Sequence, residues 1–309
     1  MINNEKILVT GGSGMAGRAL QKILPGAIYL DSKINLQDPI QTREVFEKYR
    51  PEYVVHLAAK VGGLKANLYS QADFFTENVL INTNVVKACH DFKVKKLISI
   101  LSTCIYPFNA PLPLKEKDIH NGLSHHSNYG YGFSKRMMDI HSRAYKEQYG
   151  DNFICIIPNN LYGPYDNFDL NNAHVIPSIM RKIFEAKKFN KEVVLWGNGS
   201  AKREFTYSND LAKIILFCLE NYNETESINV GNTNEISIRD LANLISKIYN
   251  YEGEIKWDEK FSEGQHRRMS DNSKFLSLGW DINNYTNLED GLKETCKWLE
   301  ENYPNIRGI

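Results

Sequence analysis

Tyr131 and Lys135 stand four residues apart in Tyr131-Gly-Phe-Ser-Lys135, a spacing that puts both side chains on one face of a helix. A free tyrosine has a pKa of about 10, too high for efficient proton transfer near neutrality. A lysine ammonium beside it favours phenolate and can also reach the ribose of a nicotinamide cofactor. Tyr129 competes for this role, but the residue four positions after it is Phe133. Ser102 follows an apolar run that ends at Leu101, where a hydroxyl can bond a substrate carbonyl oxygen while Tyr131 delivers the proton. The chemistry implied is proton transfer coupled to hydride transfer.

A hydride needs a carrier, and a site for one stands about 120 residues earlier. The run Lys6-Ile-Leu-Val-Thr10 leads into Gly11-Gly-Ser13-Gly14-Met15-Ala16-Gly17. Glycines at these positions leave room for a tight strand-to-helix turn. They also let pyrophosphate approach the helix N-terminus, where N–H groups and the helix dipole favour negative charge. Asp31 lies at the end of the second strand-like run, where an acid commonly holds the ribose 2′-OH of NAD. Ser32 and Lys33 follow it, with Arg18 nearby, and these could bind the 2′-phosphate of NADP. The residues leave NADP(H) and NAD(H) both open.

The elements that must position these groups alternate in type. Strand-length apolar runs occur at Ile7–Thr10, Ile28–Asp31, Tyr53–Leu57, Leu97–Leu101 and Ile154–Pro158. Helical spacing separates them, notably over Asp73–Phe92 and Tyr131–Tyr149. That alternation predicts an α/β fold, a Rossmann-type doubly wound parallel sheet with helices on both faces. Its active crevice lies off the carboxyl ends of the strands. After about Asn160 the pattern becomes shorter and mixed, with candidate strands Val193–Trp196, Ser227–Val230 and Glu254–Trp257 and amphipathic helices Ile236–Tyr249 and Leu288–Asn302. We expect residues 1–160 to bind the dinucleotide. Residues 161–309 should form mainly a smaller mixed α/β substrate domain, with some segments returning to the first.

Composition removes several classes of partner. Lys+Arg 37 balances Asp+Glu 37, so no overall field favours nucleic acid or an anionic membrane. No run approaches the ~18 apolar residues of a membrane span, and the N-terminus shows no secretory signal. Five cysteines without CxxC spacing fit reduced thiols better than disulfides or a zinc site. A cytoplasmic protein without a metal is expected.

Further motifs narrow the reading. The glycine loop, Ser102, Tyr131 and Lys135, in this order, resemble the extended short-chain dehydrogenase/reductases that act on nucleotide sugars. His56-Leu57-Ala58-Ala59-Lys-Val-Gly-Gly63, Ser102-Thr103-Cys104-Ile-Tyr-Pro107, Asn160-Leu161-Tyr-Gly-Pro-Tyr-Asp-Asn-Phe168, His174-Val-Ile-Pro177 and Trp196-Gly-Asn-Gly-Ser-Ala-Lys-Arg-Glu-Phe205 resemble the GDP-L-fucose synthase family. That resemblance runs from about residue 5 to the C-terminus. It implies epimerisation at C3 and C5 of GDP-4-keto-6-deoxy-D-mannose, then NADPH-dependent reduction at C4 to GDP-L-fucose. The 4-keto group acidifies the protons on both neighbouring carbons, and inversion needs a base on one face and an acid on the other.

The resemblance assigns that pair to Cys104 and His174, residue types that titrate usefully near neutral pH. It gives Ser102 the C4 oxygen, Tyr131 the final protonation, and Lys135 the tyrosine and the ribose. Leu57, Ala58, Ala59, Leu101, Pro158, Asn160, Leu161 and His174 would join the glycine loop around the cofactor. Ser102, Thr103, Asn160, His174, Lys182, Trp196, Arg203 and Arg268 would hold the nucleotide sugar, the basic residues taking its diphosphate. A homodimer is implied, with Asp73–Phe92 and Tyr131–Tyr149 pairing with their copies. Two alternatives remain: a 4-reductase alone, acting on a related GDP-6-deoxy-4-keto sugar or heptose, and a catalytically silent NADP(H)-binding sensor. A 4,6-dehydratase fits less well, because that class carries Thr-Asp-Glu where this chain has Ser102-Thr103-Cys104.

Overall fold

A computed structural model describes residues 3–261 and 264–309. In chain order the first part holds β1 (Ile7–Thr10), α1 (Met15–Ile23), β2 (Ile28–Tyr29), α2 (Pro39–Tyr49), β3 (Tyr53–His56), α3 (Leu64–Tyr69), α4 (Gln71–Asp91), β4 (Lys96–Ile100), α5 (Tyr129–Tyr149) and β5 (Phe153–Pro158). There follow β6 (Asn160–Tyr162), α6 (Val175–Phe189), β7 (Val193–Trp196), β8 (Lys202–Tyr207), α7 (Ser208–Asn221), β9 (Ile228–Val230), β10 (Glu235–Ser237), α8 (Ile238–Tyr249), β11 (Ile255–Asp258), α9 (Ser273–Ser277) and α10 (Leu288–Asn302).

The main sheet has the order β2-β1-β3-β4-β5-β9, and every pairing in it is parallel. Successive strand side chains point to opposite faces, so both faces need a helical layer. Ile7 and Val9 pack into one core with Leu20 of α1 and Leu211, Ile214 and Ile215 of α7. Leu8, between them, packs into the other with Phe46 of α2, Val85 and Val86 of α4, and Met138 of α5. From β1 the chain runs to β2 on one side and then to β3 on the other. The crevice expected at such a switch point opens beyond Thr10, His56, Ile100 and Pro158.

A smaller lobe carries the antiparallel β10–β8 pair extended by parallel β6, and a separate parallel pair of β11 and β7. Its core joins α6, α8 and α10 through Met180, Ile183, Leu241, Ile245, Leu292 and Leu299. Two expectations shift. Ser227–Val230 reads as one more short strand after Asn160, but β9 pairs with β5 (Ile156↔Ile228) as the sixth strand of the main sheet. Ile236 reads as the start of a helix, but it lies in β10 opposite Arg203. Ser237 then caps α8 by accepting the Asp240 N–H at 3.0 Å. No helix among the described residues is long and apolar enough to cross a membrane.

Candidate active site

The strand ends open onto one cleft of about 1360 Å³. A single small-molecule pocket spans ~300–1,000 Å³, so this cleft has room for a dinucleotide beside a second nucleotide. Its floor begins with the glycine loop. Gly12 N–H bonds Leu30 O at 2.7 Å and Gly14 N–H bonds Gly11 O at 3.1 Å, which folds the loop tightly under α1. A Cβ on Gly17 would stand 2.5 Å from Gly11 O, so only glycine lets the helix sit this close. Gly14 is the N-cap of α1 and no side chain caps that helix. Its first N–H groups are therefore left for an anion, and the cradle fits a pyrophosphate. Gly11, Ser13, Gly14, Met15, Ala16 and Gly17 all line it.

A buried network fixes the neighbouring wall. The Thr10 hydroxyl lies 2.8 Å from His56 Nδ1 and accepts the N–H groups of Leu57 and Ala58 at 3.2 and 3.1 Å. Thr10 therefore donates to Nδ1, and Nε2–H donates to Asn82 Oδ1 at 3.1 Å. Burial first, then the Lys135 charge, pull the His56 pKa down to about 3. The ring stays neutral and holds Leu57 and Ala58 where they line the cleft. In the sequence His56 stands out only as the first residue of a motif.

At the adenosine end Asp31 and Ser32 line the cleft, but Lys33 does not. Asp31 Oδ1 accepts the Lys33 N–H at 2.9 Å, so this turn offers its carboxylate to its own backbone. Arg18 lies over the ring of Tyr165, 5.6 Å from the centroid.

The reacting centre forms where α5 meets the turn after β4. Ser102 caps that turn, and its Oγ accepts the Cys104 N–H at 3.4 Å. Gly132 lets α5 press against the turn: a Cβ there would meet Cys104 O at 2.7 Å. Tyr131 consequently lines the cleft with Ser102, Cys104 and Lys135, whereas Tyr129 faces outward against Phe133.

The ionisation differs from the expectation. Burial, and secondarily the nearby Cys104, push the Tyr131 pKa above its ordinary value, while a hydrogen bond with Ser102 pulls the other way. The Lys135 ammonium is buried and donates to Ile100 O at 2.8 Å, and burial lowers its pKa to about 8. Tyr131 is thus held as a neutral phenol, a proton donor. The i, i+4 spacing sets a shared face but not the direction of the ammonium.

The smaller lobe brings the remaining groups. His174 stands at the N-cap position of α6 without capping it through its side chain, and it lines the cleft. Gly63 N–H bonds Asn172 O at 2.8 Å, locking the loop after β3 to the segment before the histidine. Burial, and then the charge of Arg307, lower the His174 pKa. Leu101, Pro158, Asn160, Leu161, Lys182, Trp196, Arg203 and Arg268 line the same space. Trp196 is not core packing; it lies partly exposed, stacked on Phe261 with centroids 4.6 Å apart. The Lys182 ammonium bonds Val194 O at 2.7 Å.

Thr103 departs from the set. It is buried and absent from the cleft wall, because a 3-10 turn points successive side chains about a third of a turn apart. Lys60, Asp166 and Arg307 also line the cleft. The Asp166 carboxyl is buried, which raises its pKa to about 7. None of these three carries a spacing signal of its own.

A dinucleotide cradle beside a serine, tyrosine and lysine off parallel strand ends defines an epimerase/dehydratase-type short-chain enzyme. The model of the NAD dependent epimerase/dehydratase family matches residues 7–231. GDP-L-fucose synthase of Dictyostelium discoideum is 40% identical over 97% of this chain and 97% of its own. This chain belongs to the GDP-L-fucose synthase family. A GDP-L-fucose synthetase from Naegleria fowleri, solved bound to NADP, superposes with a TM-score of 0.92 at 38% identity, covering 99% of this chain and 96% of that one. A GDP-6-OMe-4-keto-L-xylo-heptose reductase from C. jejuni gives 0.89 at 28% identity, covering 97% and 99%.

Proposed function

We propose that this chain inverts C3 and C5 of GDP-4-keto-6-deoxy-D-mannose and then reduces C4 with NADPH, giving GDP-L-fucose. The observation that carries this is that Cys104, His174, Ser102 and Tyr131 line one cleft. On this reading Cys104 and His174 serve proton exchange, and Ser102 and Tyr131 serve reduction. Residues 1–160 would hold mainly the cofactor and 161–309 mainly the nucleotide sugar.

Cys104 removes the acidified proton next to the keto group, and the electron pair moves onto the C4 oxygen, where Ser102 bonds it. His174 returns a proton to the other face, one that the ring, neutral by burial, first takes from water. NADPH, when bound along the glycine loop, supplies hydride to C4. Tyr131 protonates the resulting oxygen, and Lys135 holds the ribose. Lys182, Arg203 and Arg268 offer positive charge for the diphosphate, with Trp196 beside the nucleotide.

The oligomeric state and compartment are part of the same proposal. Phe75 and Leu80 of α4 and Ile140 of α5 are exposed apolar side chains, which supports a homodimer through these helices. A monomer mass at micromolar concentration by sedimentation would exclude it. Five free cysteines suit a reducing cytoplasm.

Product NMR after incubation with GDP-4-keto-6-deoxymannose and NADPH in deuterated water tests the central reading. GDP-L-fucose labelled at C3 and C5 is expected. A sugar reduced at C4 without label would instead support the 4-reductase reading that the heptose reductase brings to mind. Cofactor binding with no turnover would support the sensor.

A further inference from the structure

Arg268 reaches the sulfur of Cys104 across 164 residues of chain: Nη1 donates to Sγ at 3.1 Å. The guanidinium is held in a frame. Its Nε donates to Gln265 Oε1 at 2.7 Å, and Gln265 Nε2 donates to Phe108 O at 3.2 Å. Just past the arginine, Leu114 N–H bonds Met269 O at 2.7 Å and Asp271 N–H bonds Leu114 O at 2.9 Å. Ser270 gives the buried Glu204 carboxylate its N–H at 3.1 Å and its hydroxyl at 2.6 Å. Both flanks of Arg268 are thus tied to the loop that leaves Cys104 and to β8. A cation kept only for solvent-facing charge needs no such support.

The chemistry of the contact is specific. Cysteine acts as a base through its thiolate, not its thiol, and a hydrogen bond from a guanidinium to an anion is roughly twice as strong as one between neutral groups. Among the described residues Arg268 is the cation bonded to this sulfur. Tyr131 faces Cys104 from α5, and Ser102 from its own turn. His125 lies beyond, its pKa lowered by burial, then by His126 and Arg268.

We infer that Arg268 is a positioning residue for epimerisation: it aims the Cys104 sulfur and balances its negative charge while the proton is taken. This rests on the reading of Cys104 as the base. In the step, the carbon–hydrogen bond breaks, its electron pair moves to the C4 oxygen, and the proton goes to Sγ. Nothing is oxidised, and the thiol later returns its proton to water. Arginine carries five N–H donors. Two are accounted for here, so the diphosphate role assigned from sequence is compatible, and the test must separate the two roles.

Arg268→Gln, Arg268→Lys and Cys104→Ser provide that separation. The other four cysteines are buried, so alkylation by iodoacetamide near neutral pH reads Cys104, with Cys104→Ser as the blank. The Arg268→Gln rate should fall at least about ten-fold, the loss expected for a hydrogen bond to a charged group, and Arg268→Lys should recover part of it. Faster alkylation in Arg268→Gln would mean the arginine merely covers the sulfur, and would overturn the inference.

Product partition supplies the second readout. With saturating GDP-4-keto-6-deoxymannose and NADPH in deuterated water, Arg268→Gln should shift product towards a C4-reduced sugar without label at C3 and C5. A raised KM with unchanged partition would assign Arg268 to the diphosphate alone and overturn the inference. Normal label uptake by Cys104→Ser would remove the cysteine reading and the inference with it. An inert Cys104→Ser beside a normal Arg268→Gln would remove only the inference.

Discussion

Replacing Lys135 by Met sets the stability of the fold against its chemistry at one buried nitrogen. Lys135 is 4% exposed, its ammonium bonds the single carbonyl of Ile100, and burial takes its pKa from 10.5 to about 8. That difference, 10.5 − 8 = 2.5, at about 1.36 kcal/mol per unit, makes the charged form roughly 3 kcal/mol costly at neutral pH. Met removes that cost but orphans the Ile100 carbonyl, which gives back about 1–3 kcal/mol. The variant should therefore match the wild type or exceed it by up to ~2 kcal/mol, while losing NADPH affinity and reduction.

The pH dependence of that comparison is sharper than its absolute value. Because the folded pKa lies below the unfolded one, the folded protein binds fewer protons between about pH 8 and 10.5, and its stability rises through that window. Met does not titrate. Denaturant melts at about pH 7.5 and about pH 9.5 should show the wild type gaining about 2 kcal/mol on Lys135→Met. A flat difference, or a gain in the variant, would refute the buried-ammonium account. Unchanged NADPH affinity would refute the ribose role.

Tyr131→Phe should cut reduction by about 10²–10⁴-fold, the range for a lost general acid, with cofactor affinity largely intact by fluorescence titration. Cys104→Ser should stop solvent deuterium from entering C3 and C5; normal entry in that variant would show that another group is the base. His174→Asn should slow epimerisation and release incompletely inverted sugars, visible by NMR as a mixture. Gly17→Ala places a methyl 2.5 Å from Gly11 O, so α1 must lift off the loop. The fold should lose about 1–3 kcal/mol, the usual scale of overpacking, and NADPH binding should weaken; an unaltered Kd would show that the loop absorbs the methyl.

The parallel sheet and its crevice are legible because each strand is a short buried apolar run that local pattern can find. Ile7–Thr10, Val193–Trp196 and Leu288–Asn302 have the bounds read from sequence. What local pattern misses is pairing. Nothing in Ile228–Val230 says that it lies beside Ile156–Pro158, and a strand at Glu235–Ser237 is decided by β8 rather than by its own three residues. Helix α7 buries Leu211, Ala212, Ile214, Ile215, Cys218 and Leu219 and leaves Lys213 and Glu220 exposed, so its apolar face is broad and its polar stripe too narrow to mark it as a surface helix. The site divides in the same way. Glycine loop, serine, tyrosine and lysine announce themselves by spacing, whereas Arg268 at Cys104 and Arg307 near His174 are brought in by tertiary contacts alone.

Electrostatics also orders the two chemistries. Cys104 is among the causes that raise the Tyr131 pKa, so a thiolate there would make the phenol harder to ionise. On the proposed roles, a charged base would leave the acid its proton, and an enolate oxygen beside Ser102 and Tyr131 would meet a donor rather than a second anion. Spacing alone suggested that Lys135 would make Tyr131 ready to lose its proton. The ammonium instead turns to Ile100 O, and burial holds the phenol neutral. An alcohol dehydrogenation would need the opposite, a phenolate waiting to take a proton. A buried, protonated tyrosine is matched to the proposed direction, in which it would give its proton as C4 is reduced.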